Sequence, residues 1–554
     1  INVAISVVLL LSVIATVNFN LERWKARKVN MFLKTGNHLH DIAARSCPYH
    51  NLARLRFGRQ RRSWQRAYAT SALTVPDTNP LARGMATPPA LNPSPVVQRI
   101  LLADNFVHIK DVFSTHRTSM TPADFVVAWV RLAKITKAPA ERLSPELQKF
   151  VDILACATID RMQQFLPSHL CSIIWAASKL KKDVAHSGML KSFLKAWEAE
   201  IEPQLDRLEL DQIRKCMAAI TRVGFTPGPN WKLKVETVLT RRLGACACAK
   251  TLACCLVSAA SLGFALHPSP AFREAIAGAC TASFSKPGLY DMHEAPRYAC
   301  SALWAAAVLG VPLSNATIQV MLSHVMEANL SAIGLSAIGE EAEVSSVDAG
   351  VTASRLPTQD TVSSVVVDTD ALASANSGGG NVSALALASL RPLDFAQVFW
   401  ALSKLRYTPS TQELSRLLSG TVQLLPTAQP ELLATMLWGL ADLEVAPPDS
   451  WLQLTYSSFE RQLDAASAEP LQALLHAAAS LQLPAPQWSG RLMERLQDVD
   501  LRVLPDGNVV DLVMSMHALS MHPPPQLAHR LQEECVKRLA MRSAAGTAAE
   551  ADGC

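Results

Sequence analysis

The sequence predicts an all-α fold, an α-solenoid of about nine helical-hairpin repeats of roughly 38 residues. Three observations predict it: a helical segment that returns at a fixed spacing, an apolar period of three to four residues within that segment, and a proline-rich turn behind it. A unit of this size cannot bury its apolar face alone, so successive units must stack on one another. Most of the 554-residue chain is therefore interpreted as one array.

The repeat is clearest near the carboxy terminus. The segment at residues 400–405 (Trp-Ala-Leu-Ser-Lys-Leu) recurs in similar form, at equal spacing, at residues 438–443 and 476–481. The first residue of each such segment is here called its anchor. The longest spacing between anchors, from Trp304 to Trp400, is more than twice any other and indicates an insertion between two units. The predicted anchors are Val130, Trp175, Ala218, Val257, Trp304, Trp400, Trp438, His476 and Met516.

Two helices make up each unit, as residues 430–463 illustrate. The first helix has apolar residues at helical spacing: Leu433, Met436, Leu437, Leu440 and Leu443. Pro447 and Pro448 then end this helix and suit the first turn of the next one. The second helix carries one apolar stripe: Leu452, Tyr456, Phe459 and Leu463.

The turn between the two helices also repeats. Prolines, a polar residue and a large apolar residue recur at 226–231, 447–451, 484–488 and 523–527. A unit of this length with a Trp-Ala-Leu-Ala-x-Leu helix and a Pro-Pro-Pro-Glu-Trp turn resembles the octotricopeptide repeat, a family of organellar RNA-binding solenoids abundant in green algae. The resemblance covers about residues 120–540 and is strongest at 391–540 and near 218–231. It implies an organellar protein that stabilises, processes or positions a messenger or ribosomal RNA through single-stranded segments.

Other helical repeats make different predictions. Tetratricopeptide units, of about 34 residues, carry a Trp-x-x-Leu-Gly-x-x-Tyr pattern that does not recur here. HEAT-like units, of about 40–47 residues, fit the irregular spacing of the amino-terminal half. The alternative function is therefore a helical protein scaffold in a large organellar assembly such as the mitochondrial ribosome.

The segment 1–75 carries targeting signals. Residues 1–19 are almost wholly apolar and near the minimum length of a membrane span. Between Met31 and Val75 there are eight Lys or Arg residues and one acid, a composition typical of an organelle transit peptide. We expect a mitochondrial matrix protein whose mature chain starts at Ala69. A chloroplast stroma location and a membrane anchor at residues 4–19 are the alternatives.

Composition divides the remaining chain. Prolines interrupt residues 76–98, and no helical period survives in residues 331–390, which include a Ser-Gly-rich run. The expected segments are a linker at 76–98, basic helical repeats at 120–330, a disordered or flexible insertion at 331–390, acidic helical repeats at 391–540 and a tail at 541–554.

Charge is distributed unevenly along the array. Residues 101–250 hold 22 basic and 15 acidic side chains, whereas residues 391–554 hold 12 basic and 18 acidic ones. Phosphate contacts need Lys and Arg concentrated on one face, so organellar RNA is expected on the units before residue 250 and protein partners on the acidic repeats. The candidate RNA-binding residues are Lys134, Lys137, Lys179, Lys181, Lys182, Arg222, Lys232, Lys234, Arg241 and Arg242.

We predict no catalytic residue, metal site or cofactor. Cys246, Cys248, Cys254 and Cys255 cluster, but they lack the paired Cys-x-x-Cys spacing of a structural zinc site. The cysteines, in mainly apolar stretches, are interpreted as small core residues. The tryptophan anchors also lie among apolar residues, which predicts that they pack in the core between hairpins: Trp175, Trp304, Trp400 and Trp438.

Overall fold

The computed structural model describes residues 94–136, 145–180, 188–246, 248–264, 268–285, 294–333 and 390–551. Within these ranges the chain forms α-helices and short 3-10 turns, and no strand occurs among them. The prediction of an all-α fold is confirmed. The expected transit peptide and most of the expected insertion lie outside the described residues, as do Lys137, Lys181 and Lys182.

The helices are numbered in chain order. They are α1 (Pro95–Leu102), α2 (Phe106–His116), α3 (Pro122–Ile135), α4 (Pro145–Ile159), α5 (Pro167–Ala177), α6 (Gly188–Ile201), α7 (Leu210–Val223), α8 (Pro229–Leu243), α9 (Ala249–Ser261), α10 (Pro270–Phe284), α11 (Ala295–Val308), α12 (Asn315–Ile333), α13 (Pro392–Leu405), α14 (Thr411–Val422), α15 (Pro430–Asp442), α16 (Asp449–Glu460), α17 (Ala468–Ser480), α18 (Ser489–Asp498), α19 (Asp506–Ala518) and α20 (Pro525–Ala551).

Contacts divide the chain into two units. The larger comprises Met85–Asp500 and Leu512–Arg530. The smaller includes Leu501–Asp511 and Leu531–Cys554. Within the smaller unit the guanidinium of Arg538 donates to the carbonyl oxygens of Leu504 (2.7 Å) and Leu501 (3.1 Å).

The larger unit is a two-layer stack. Each odd-numbered helix from α1 to α15 packs on the next odd-numbered helix, and most even-numbered helices do the same in a second layer. Every hairpin therefore contributes one helix to each layer, as an α-solenoid requires. The nine predicted anchors fall in nine successive odd-numbered helices, α3 to α19. One further pair, α1 and α2, precedes them and begins at Pro95, inside the segment expected to be linker.

The array continues across the insertion. Helix α11 packs directly on α13, although the two are separated by α12 and residues 334–389. The long spacing between the anchors Trp304 and Trp400 thus holds one hairpin plus inserted sequence, and no repeat is missing between them.

The last anchor was placed two positions too late. In α13, α15 and α17 the residue six positions after the anchor has a positive φ: Arg406 (55°), Glu444 (59°) and Gln482 (54°). The equivalent residue after α19 is Ser520 (53°), which makes Met514 the anchor and Met516 a buried residue two positions beyond it. The spacing from His476 then equals that between the three preceding anchors. The pattern of apolar residues alone did not fix this register.

Helix ends follow from local sequence. Proline is the first residue of nine of the described helices, a position where its missing N–H costs nothing. Capping boxes stabilise the amino-terminal ends of other helices. At the start of α14 the Ser410 N–H donates to Glu413 Oε2 (2.7 Å), and the Glu413 N–H donates to Ser410 Oγ (3.3 Å). A left-handed residue follows each odd-numbered helix from α7 to α19, including Gly224, Gly263 and Gly310.

Side chains also bond consecutive repeats. The indole N–H of Trp451 in α16 donates to Thr421 Oγ1 in α14 of the preceding repeat (2.7 Å). Within one hairpin, the indole N–H of Trp129 in α3 donates to Thr158 Oγ1 in α4 (3.1 Å). Cysteines fill small spaces in the core, and seven of the ten described ones are buried. Burial raises the pKa of Cys280 to about 12, so this thiol stays protonated at neutral pH.

Candidate nucleic-acid interface

The odd-numbered helices have one face that no other described helix covers. Odd-numbered neighbours pack on two sides of each helix, and the even-numbered layer lies against a third. The anchors mark the fourth side, since eight of the nine, with Met514 as the last, are half-buried in helices that are otherwise largely buried. This side of the odd-numbered helices is called the anchor face.

The tryptophan anchors were expected in the core, and this is wrong for three of them. Trp175, Trp304 and Trp400 are half-buried on the anchor face. Only Trp438 is buried, at 7% exposure, where its ring packs 5.3 Å from the ring of His476. An odd-numbered helix is apolar on three sides, so its sequence does not show which large residue points outward.

Three of the candidate RNA-binding residues lie at the carboxy-terminal ends of odd-numbered helices. Each follows its anchor by four positions: Lys134, Lys179 and Arg222. Lys134 is exposed, and the ammonium of Lys179 lies 5.2 Å from the centroid of the Trp175 ring. Arg222 donates to Ser178 Oγ of the preceding repeat (2.9 Å), and burial lowers the pKa of its guanidinium.

Four other candidates lie in the second layer. Lys232, Lys234, Arg241 and Arg242 all belong to α8, an even-numbered helix. Arg241 forms an ion pair with Asp206, and Arg242 donates to the Asp206 carbonyl oxygen (2.7 Å). These arginines bind α8 to the segment before α7. The fold therefore does not bring the four candidates of α8 together with Lys134 and Lys179.

Sequence reasoning missed four cations on the anchor face. Arg214, Lys215, Lys250 and Arg297 lie four, three, seven and seven positions before their anchors, the helical spacings that share a face with them. They would have been found by counting back from the anchors once these were known to point outward.

Two of these cations share one carboxylate. Arg214 and Lys215 approach the Asp211 carboxylate at 2.6 and 2.8 Å. Burial of this carboxyl acts to raise its pKa, but Lys215 and Arg214 outweigh burial and hold the pKa below its ordinary value. Lys250 lies 3.5 Å from Glu294 and 5.9 Å from the centroid of the Tyr298 ring.

The charge of the odd-numbered helices changes sign along the array. Helices α3 to α11 carry seven Lys or Arg residues and two acids, Asp124 and Asp211. Helices α13, α15 and α17 carry one lysine and four acids. The basic part of the anchor face also holds two half-buried indole rings, those of Trp175 and Trp304, so cations and stacking groups lie on one surface.

Neither a metal centre nor a membrane span is found in the part of the chain that the structure describes. No group of three or more His, Cys, Asp or Glu side chains there is arranged to hold a metal ion. No described helix combines the length and apolar character needed to cross a bilayer.

No family model matches this chain, and no curated protein matches it significantly in sequence.

Proposed function

We propose that this protein is an organellar RNA-binding repeat protein, located in the mitochondrial matrix, that holds single-stranded RNA on the anchor face of α3 to α11. Its role would be to stabilise, process or position a transcript or a ribosomal RNA by binding alone. The observation that carries this proposal is the charge of these odd-numbered helices, which hold seven basic and two acidic residues. Half-buried indole rings lie on the same helices.

The chemistry of unpaired RNA fits this surface. Phosphates are neutralised by lysine and arginine with release of counterions, which makes binding depend on salt. Unpaired bases stack on aromatic side chains whatever their identity, and each stacked base contributes about 1–3 kcal/mol. Lys134, Lys215 and Lys250 lie on three different odd-numbered helices, so a strand that binds all three would cross several repeats.

Charge reversal on the anchor face tests this proposal. In the triple variant K134E/K215E/K250E we expect affinity for a labelled 20-nucleotide single-stranded RNA to fall at least about tenfold at low salt. The slope of log affinity against log salt should fall by about 2, since each lost phosphate contact removes about 0.7. Filter binding across a salt series measures both quantities.

A matched control exists in the second layer. K149E/K191E/K195E makes the same change in net charge at three exposed lysines of α4 and α6. It should retain most of the affinity and the full salt slope. Equal losses in the two triple variants would contradict an RNA site on the anchor face. Crosslinking that recovers no organellar RNA would favour the protein scaffold instead.

A further inference from the structure

The carboxy-terminal part of the anchor face has a different chemistry from the basic part. Helices α13, α15 and α17 repeat at one constant period and pack directly on one another, so equal positions become neighbours. Two contacts verify this register: Lys404 Nζ lies 2.9 Å from Asp442 Oδ2, and the rings of Trp438 and His476 are 5.3 Å apart. Equivalent positions of successive repeats therefore form columns across the face.

One of these columns is acidic, and another is aromatic. Glu431 and Glu469 are half-buried and occupy equal positions, seven residues before their anchors. The anchors Trp400, Trp438 and His476 form the aromatic column. These carboxylates would repel a phosphate backbone, whereas a cationic segment would find a carboxylate on each helix and, seven residues or about 10 Å further along, an aromatic ring.

The face already holds one ammonium group in this way. Lys404 forms an ion pair with Asp442, and its Nζ atom lies 5.9 Å from the centroid of the Trp438 ring. Each partner comes from the next repeat, so the arrangement shows how a lysine sits between two anchor helices. In the repeat that precedes Trp400, the position equivalent to Lys404 is occupied by Val308, which carries no charge.

A buried acceptor lies beside Trp400. Gln397 precedes Trp400 by three positions and is 5% exposed, and its Oε1 atom accepts no hydrogen bond within the described residues. A buried acceptor without a donor is destabilising, and an N–H group of a bound lysine or arginine that reached it would satisfy it. This acceptor lies about one helical turn before Trp400 in α13, so it favours a donor ligand on this side of the helix.

We propose that the anchor face of α13, α15 and α17 binds an extended, lysine- or arginine-rich segment of a protein partner. Packed helices lie about 8–10 Å apart. A polyproline-II segment advances about 9.3 Å in three residues and returns its side chains to the same side. Basic residues at every third position would therefore meet Glu431 and Glu469 in turn. This surface is separate from the RNA site on α3 to α11.

Peptide binding to the full chain tests the inference. The probe is a fluorescein-labelled peptide of four Lys-Pro-Pro units, and the readout is fluorescence anisotropy. The isosteric variant E431Q/E469Q should weaken binding about tenfold, since two charge pairs at half-buried carboxylates contribute about 1.4 kcal/mol together. The control E494Q/D498N removes two exposed carboxylates of α18, in the second layer, and should change binding less than about twofold.

Two outcomes would overturn the inference. Equal weakening in both double variants would mean that the peptide responds only to net charge. A labelled 12-nucleotide uridine RNA that loses binding in Trp400→Ala, while the peptide does not, would assign this face to RNA. Circular dichroism and thermal unfolding of each variant establish that the compared proteins are folded.

Discussion

At the scale of single residues, Gly439 sets how closely two anchor helices approach. A side chain built at this position would place its Cβ 2.7 Å from the carbonyl carbon and 2.8 Å from the carbonyl oxygen of Phe399. Both atoms belong to the backbone of α13, so neither can move aside without shifting the helix. The glycine one position after the Trp438 anchor therefore has a packing role, although glycine is a poor helix former.

Gly439→Ala should destabilise the protein by about 1–3 kcal/mol, because the added methyl group would force α15 away from α13. Gly278→Ala is the matched control, since no atom lies within 4 Å of its Cβ and it also lies inside a helix, α10. It should stabilise by up to about 1 kcal/mol through helix propensity. Urea unfolding measures both; a neutral G439A would show that the two helices separate at no cost.

At the scale of elements, each anchor helix from α7 to α19 ends in a left-handed residue. Glycine fills this position after α7, α9 and α11, whereas Arg406, Glu444, Gln482 and Ser520 fill it after the later helices. A residue with a Cβ in this conformation is strained by about 1–2 kcal/mol relative to its preferred conformation. The later repeats carry this strain once per repeat.

Glu444→Gly should therefore stabilise the protein by up to about 1 kcal/mol, since it relieves the strain at an exposed position. Gly310→Ala tests the converse at the equivalent place after α11, where φ is 63° and no atom lies within 4 Å of the new Cβ. It should cost about 1 kcal/mol by strain alone. Thermal unfolding compares the two; destabilisation by E444G would contradict the assignment of strain.

The same elements show what could be predicted from the sequence. The repeat period, the helical hairpin and the anchors of eight odd-numbered helices could be predicted, because stacking requires apolar residues at fixed intervals. The register of α19 was missed because the apolar residues and prolines that follow fit both Met514 and Met516 as the anchor. The outward direction of Trp175 and Trp304 was missed because helices buried on three sides show no amphipathic pattern. Arg214 and Lys250 were consequently overlooked as members of the candidate interface.

At the scale of the whole molecule, the direct packing of α11 on α13 predicts that residues 344–379, which lie between α12 and α13, are dispensable for the array. Removing residues 344–379 should leave the stack intact and stabilise it by about 1 kcal/mol or less, because a shorter connection costs less entropy to close. Differential scanning calorimetry of the shortened chain measures this. A large fall in the unfolding temperature would show that the removed residues support the fold.

The α11–α13 contact also has a consequence for the order of folding. Neighbouring odd-numbered helices elsewhere in the larger unit are joined through a single hairpin, and their contacts close short loops. The α11–α13 contact instead joins residues 295–308 to residues 392–405, and closing a longer loop slows the formation of a contact. Because stacked repeats propagate from nuclei, each side of this seam can nucleate by itself, and the seam is expected to close last during synthesis or refolding.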